Sequence, residues 1–120
     1  MATTDRTHDH THDDAQTRDE FHDLVNLTPK QLEHWLTTDE SRAVGQKKDG
    51  ANESTGHHMG REIIELLHTK RADLDAEDYD RMRMVTGYIK RHSAQRPDGD
   101  ISETPWRYSL MNWGHDPLKK

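Results

Sequence analysis

DAEDYDRMRMVTGYIKRHSAQRP, running from Asp75 to Pro97, is the stretch that decides the fold class. Asp75, Glu77, Asp78 and Asp80 open it, and Lys90, Arg91 and Arg96 close it, the charge order a helix dipole favours. Asp75 suits an N-cap, and Pro97 is a natural stop shortly after a last turn. At about 100° per residue, Tyr79, Met82, Val85, Thr86, Ile89 and Ser93 share one sector, the face expected to be buried. An adjoining sector carries Arg83, Gly87, Lys90 and Ala94, with Arg91 beside it. Between Arg81 and Arg96 there are five Lys or Arg and no Asp or Glu, in a chain of net charge −6.

Two readings of that basic face compete. In one, Arg83, Lys90 and Arg91 meet phosphates while Gly87 and Ala94 admit a nucleic-acid strand. In the other, the cations form a solvated face and Gly87 marks a helix crossing. Glycine inside a helix costs about 1 kcal/mol relative to alanine, so a close approach is expected to offset it. Spacing leaves open whose backbone approaches.

The 120 residues suit one domain. With 29% apolar and 33% charged residues, and a mean hydropathy of −1.23, the chain is polar for a globular protein, so a small core of modest stability is expected. Large hydrophobes begin at Phe21. Residues 1–19 therefore read as a disordered tail, rich in acid and His, and residues 20–118 as a single helical domain. The first twenty residues carry Asp5, Asp9, Asp13, Asp14, Asp19 and Glu20 against Arg6 and Arg18, a net charge of −4. Such a segment is expected to compete for the basic face, so that removing residues 1–19 should tighten DNA binding at low salt.

His8-Asp9-His10-Thr11-His12-Asp13 alternates imidazole and carboxylate. These groups bind Zn, Ni or Cu weakly, but a flexible tract fixes no geometry, so no metal and no cofactor is assigned. Cysteine is absent, which excludes disulfides, thiolate metal sites and Cys nucleophiles. No apolar run approaches the roughly 18 residues of a membrane span. No signal-peptide core follows Met1 either, so a soluble cytoplasmic protein without a membrane partner is expected.

Phe21–Leu27 reads as a short helix or turn. Thr28-Pro29-Lys30-Gln31 has the form of a capping box with Pro at the first helical position, and Leu32, Trp35 and Leu36 then line one face. Thr37–Ser41 interrupts this helix before a short segment ending near Val44. A polar loop, Gln46–Asn52, holds Lys47 and Lys48. Beyond it a longer helix is expected, capped near Ser54, with Gly56, Gly60, Ile63, Ile64 and Leu67 on its packing side. Asp98–Glu103 reads as a flexible connector. Thr104, Pro105 and Gly114 bracket a last helix of about nine residues whose Trp106, Leu110 and Trp113 share a face. Together these elements predict an all-α fold, a compact bundle of about four helices.

The segments FHDLVNLT (21–28), VGQK (44–47), Gly56-His57 with Gly60-Arg61, GYIKRH (87–92) with Gln95-Arg96-Pro97, and WRYSLMNWGHDP (106–117) resemble a small helical domain family of unknown function. Its members commonly carry the label "DNA-binding protein". The resemblance spans Phe21 to Leu118. It implies DNA as a partner and supplies no catalytic residues.

HExxH, GxSxG, GxxxxGK[ST] and GxGxxG are all absent, and the paired acids Glu62/Glu65 and Asp78/Asp80 fit solvated helix faces, so no enzyme is expected. The leading expectation is a non-enzymatic protein that binds double-stranded DNA with weak sequence specificity. Arg81, Arg83, Lys90, Arg91 and Arg96 would form a phosphate-facing stripe flanked by Lys47, Lys48 and Arg107. A stress or DNA-maintenance role would suit such a protein. The alternative is a protein-interaction or self-assembly module, such as a homodimer, using the Gly56/Gly60 and Gly87/Ala94 faces and the Trp-rich last helix.

Overall fold

A computed structural model describes residues 14–44 and 55–119. Tail residues 1–13 with their His/Asp tract, the loop bearing Lys47 and Lys48, and the cap expected near Ser54 lie outside the described residues. The described residues form six α-helices and no strand, rather than about four helices. They are α1 over 14–24, α2 (Pro29–Leu36), α3 (Asp39–Ala43), α4 (Thr55–His68), α5 (Ala76–Ser93) and α6 (Pro105–Asn112), with a 3-10 turn at Arg71–Asp73.

Local chemistry sets the starts. Asp75 Oδ1 accepts the Asp78 N–H at 2.9 Å, and Asp78 Oδ2 accepts the Asp75 N–H at 3.1 Å, a reciprocal cap on α5. Thr28 and Gln31 make the same exchange on α2, at 3.1 and 3.0 Å. Thr38 and Thr104 cap α3 and α6. Each such cap contributes about 1 kcal/mol.

Three expectations need correcting. Residues 14–19, read as tail, belong to α1: Thr17 is buried, and the helix leads into Phe21, which is fully buried. The interruption after α2 is shorter than Thr37–Ser41, because Thr38 already caps α3. The connector after α5 is pinned by Ile101, which is 2% exposed.

The core gathers Phe21 and Val25 from α1 and the chain after it, Leu32 and Leu36 from α2, and Met59, Ile63 and Leu66 from α4. Met82, Val85 and Ile89 join from α5, with Leu110 and Trp113 from α6 and its end. On α5 the expected face is the buried one, with Tyr79 and Ser93 half-buried at its margins. On α4 the buried set is Gly56, Met59, Gly60, Ile63 and Leu66, while Ile64 and Leu67 are only partly covered. Gly60 is where α4 meets α6: a Cβ there would lie 2.7 Å from the Asn112 carbonyl oxygen and 2.8 Å from Leu36 Cδ2.

A polar hub sits inside this apolar shell. Asn112 Oδ1 accepts from Ser41 Oγ at 2.5 Å and from Trp35 Nε1 at 2.8 Å, and its Nδ2 donates to the Ser41 carbonyl at 3.1 Å. One buried amide therefore ties α2, α3 and α6 together, as buried polar groups require partners.

The two ends of the domain are clasped. Asn26 Nδ2 donates to the Asp116 carbonyl at 3.0 Å, and the Asp116 N–H returns to Asn26 Oδ1 at 2.8 Å. The Leu27 N–H donates to the Gly114 carbonyl at 3.1 Å, and His115 Nδ1 to the Leu24 carbonyl at 2.7 Å. Gly114, at φ +81°, makes the turn that lets this strap fold back, and a Cβ there would come 2.8 Å from Val25 Cγ1.

Candidate functional site

The exposed face of α5 carries its cations in register with acids of α1. Lys90 Nζ lies 2.6 Å from Glu20 Oε2. Arg83 Nη1 reaches Asp14 Oδ1 and Thr17 Oγ1, both at 3.4 Å, while its Nη2 lies 2.6 Å from Asp80 Oδ1. The pairs climb both helices in the same direction, 14 to 83 and 20 to 90, so α1 runs along the stripe. The hydrogen bond that Arg83 donates to Asp80 raises the Arg83 pKa most; burial opposes it and Asp14 adds to it.

Arg81 stands in a cluster of carboxylates, with Asp78 at 3.2 Å, Glu77 at 3.8 Å and Glu62 at 3.9 Å. Arg107 is further from the expected role. Its Nε and Nη2 meet the two Asp116 oxygens at 3.0 Å each, and its Nη1 donates to the Ser102 carbonyl at 2.8 Å. Hydrogen bonding to Asp116 holds the Arg107 pKa above its ordinary value. Burial would push Asp116 up, yet Arg107 and the Leu118 N–H keep that carboxyl low. A fork-to-fork pair of this kind fixes geometry. Arg107 fastens the clasp and is withdrawn from any phosphate-facing set.

Arg91 and Arg96 are exposed at the C-terminal end of α5. The nearest neighbours of a Cβ at Gly87 are Arg91 guanidinium atoms, the closest at 3.0 Å, so the approach that offsets this glycine comes from a side chain rather than a crossing helix. The Arg96 guanidinium lies 5.7 Å from the centroid of Trp106, a cation–π distance. Lys90, Arg91 and Arg96 are thus brought to one end of α5, whereas Arg81 is held among acids and Arg107 in the clasp. Lys47 and Lys48 lie outside the described residues.

Beneath that end runs a ladder of rings that sequence spacing did not reveal. Trp106 stacks over His92 at 6.1 Å, His92 over Tyr88 at 5.2 Å, and Tyr88 over Trp113 at 4.0 Å. Trp106 Nε1 donates to the His92 carbonyl at 2.7 Å, which fastens α6 to the end of α5. The readable signal was the i, i+4 pair Tyr88/His92 together with two tryptophans, one in a short helix and one at its C-cap; their pairing is tertiary. A cleft of about 620 Å³ opens beside the ladder, lined by Thr55, Gly56, Tyr88, His92, Ser109 and Trp113. The inner ring faces are spent on one another. His92 Nε2 is sealed from solvent without a hydrogen-bond partner among the described residues, and burial lowers the His92 pKa although a backbone hydrogen bond with Trp106 opposes it. Tyr88 is pushed up by burial against a lowering contribution from Ser109. No group of three or more His, Asp or Glu side chains fit to hold a metal ion occurs among the described residues.

Helices around one buried core, with cations at the rim of one of them, define a small all-helical domain. The chain belongs to DUF3140, a protein family of unknown function, which matches residues 20–111. No curated protein and no solved structure matches the chain. Among the described residues no helix is long and apolar enough to cross a membrane.

Proposed function

We propose that this chain is a non-enzymatic, cytoplasmic DNA-binding protein that grips phosphates through the C-terminal end of α5, with Lys90, Arg91 and Arg96 as its principal contacts. The observation that carries this reading is the exposure of Arg91 and Arg96 at one helix end, beside a Lys90 whose pair with Glu20 is itself half-exposed. A partly hydrated ion pair is worth about 0–1 kcal/mol, so a polyanion can displace its carboxylate. Contacts to phosphate carry no sequence information, so specificity is weak and affinity falls steeply with salt. Stress response or DNA maintenance is the setting such a protein suits.

The test is fluorescence anisotropy with a labelled duplex of about 20 base pairs at about 50 and 150 mM salt. Wild type binds at the lower salt, and Arg91→Glu with Arg96→Glu abolishes the binding. Absence of wild-type affinity at the lower salt overturns the reading.

One observation favours a second reading, self-association. Met84, beside Gly87 on α5, is a large apolar side chain left 55% exposed. The Gly56/Gly60 face and Trp113 do not contribute to it, since each is already packed within the chain. Sedimentation of wild type against Met84→Lys decides it: a dimer that dissociates in the variant supports the reading, and a monomeric wild type ends it.

A further inference from the structure

Resting on the DNA-binding reading, a further feature concerns its control. We infer that the first two turns of α1 form an intramolecular cover over the basic face of α5, competing with a polyanion for Arg83 and Lys90.

Two independent features of the structure support the cover. The first is register: Asp14 and Glu20 face Arg83 and Lys90 across separate elements, at 3.4 and 2.6 Å, with Thr17 between them also within hydrogen-bond distance of Arg83. The second is how α1 is held. Its end is anchored by Phe21, which is fully buried, so the acids stay beside the cations. The turn preceding the anchor, residues 14–19, contributes Thr17 alone to the buried set. That turn can lift and release Arg83 from Asp14 and Thr17, leaving only its pair with Asp80 on the same helix, while Phe21 stays seated and the core stays closed. A tethered carboxylate differs from a solution counterion in that it cannot diffuse away once displaced. It therefore opposes every polyanion that approaches, and it removes part of the counterion release that would otherwise drive binding.

The facing groups define the test. The Lys90 and Arg83 side chains meet Glu20, Asp14 and Asp80, and of these only Asp14 and Glu20 come from another helix. Full-length Asp14→Asn/Glu20→Gln is compared with wild type and with Glu33→Gln/Glu40→Gln. The latter removes the same charge from exposed positions on α2 and α3. Circular dichroism checks that all three keep their helix. In anisotropy titrations with the duplex, the cover predicts roughly two- to thirtyfold tighter binding for the α1 variant, the range set by two exposed ion pairs. It also predicts a plot of log affinity against log salt that steepens by about 1 to 2. The α2/α3 variant shifts much less. Equal shifts in the two variants overturn the cover while leaving the DNA reading intact. Absence of binding by all three proteins overturns both.

Discussion

Replacing Asn112 with alanine removes the hub that joins α2, α3 and α6. The amide accepts two hydrogen bonds, from Ser41 Oγ and Trp35 Nε1, and donates one to the Ser41 carbonyl. Leaving a buried polar group unsatisfied costs about 1–3 kcal/mol. Ser41 is fully buried and cannot recover water, whereas Trp35 is half-exposed and recovers part of its loss. The sum is about 2–4 kcal/mol, a large share of the roughly 5–15 kcal/mol that holds a domain folded. Ser41→Ala is milder, about 1 kcal/mol, because Asn112 Oδ1 keeps the Trp35 donor. Urea unfolding followed by circular dichroism gives both numbers, and the double variant gives their coupling, expected at about 0.5–3 kcal/mol. A midpoint for Asn112→Ala equal to wild type, or strictly additive single changes, would refute the hub.

Gly60→Ala and Gly87→Ala should move stability in opposite directions, measured as midpoints in thermal unfolding. Each gains about 1 kcal/mol of helix propensity. At Gly60 the new methyl meets a backbone oxygen at 2.7 Å, and overpacking of up to about 3 kcal/mol outweighs that gain. At Gly87 it meets the far end of the flexible Arg91 side chain and the gain survives. His92, whose pKa is held down by burial, binds fewer protons folded than unfolded, so its contribution is complete above the unfolded value of about 6.5 and declines as pH falls below it. His92→Gln should flatten that part of the pH–stability profile in urea titrations; an unchanged slope would count against the buried imidazole.

What the sequence made legible was what local chemistry dictates. Thr28 with Gln31, Asp75 and Thr104 announced their helices, and the period of Met82, Val85, Thr86 and Ile89 marked the inward side of α5. The last turn of α1 lies within Phe21–Leu27, read as a short helix or turn, but its first part escaped because residues 14–20, DAQTRDE, offer no apolar period. Their order comes from a seam with α5 that is remote in sequence. The basic stripe was visible as composition, but composition could not tell that Arg107 has Asp116 as a partner nine residues on, or that Arg83 and Lys90 face α1. Gly56 and Gly60 were placed on the packing side of their helix, and they lie there; what packs on them is Asn112 and Trp113 at the end of α6 and Leu36 of α2, from the same chain.

The clasp between Asn26 and Asp116 bears on the order of assembly. Partners 90 residues apart cannot meet until nearly the whole domain has been synthesised. During translation α1 and α2 therefore leave the ribosome without their closing strap, and Val25 waits for the turn at Gly114 to arrive. Such late pairing slows folding relative to bundles built from neighbouring helices. It leaves the nascent segment open to chaperones and proteases until residues 114–116 have emerged.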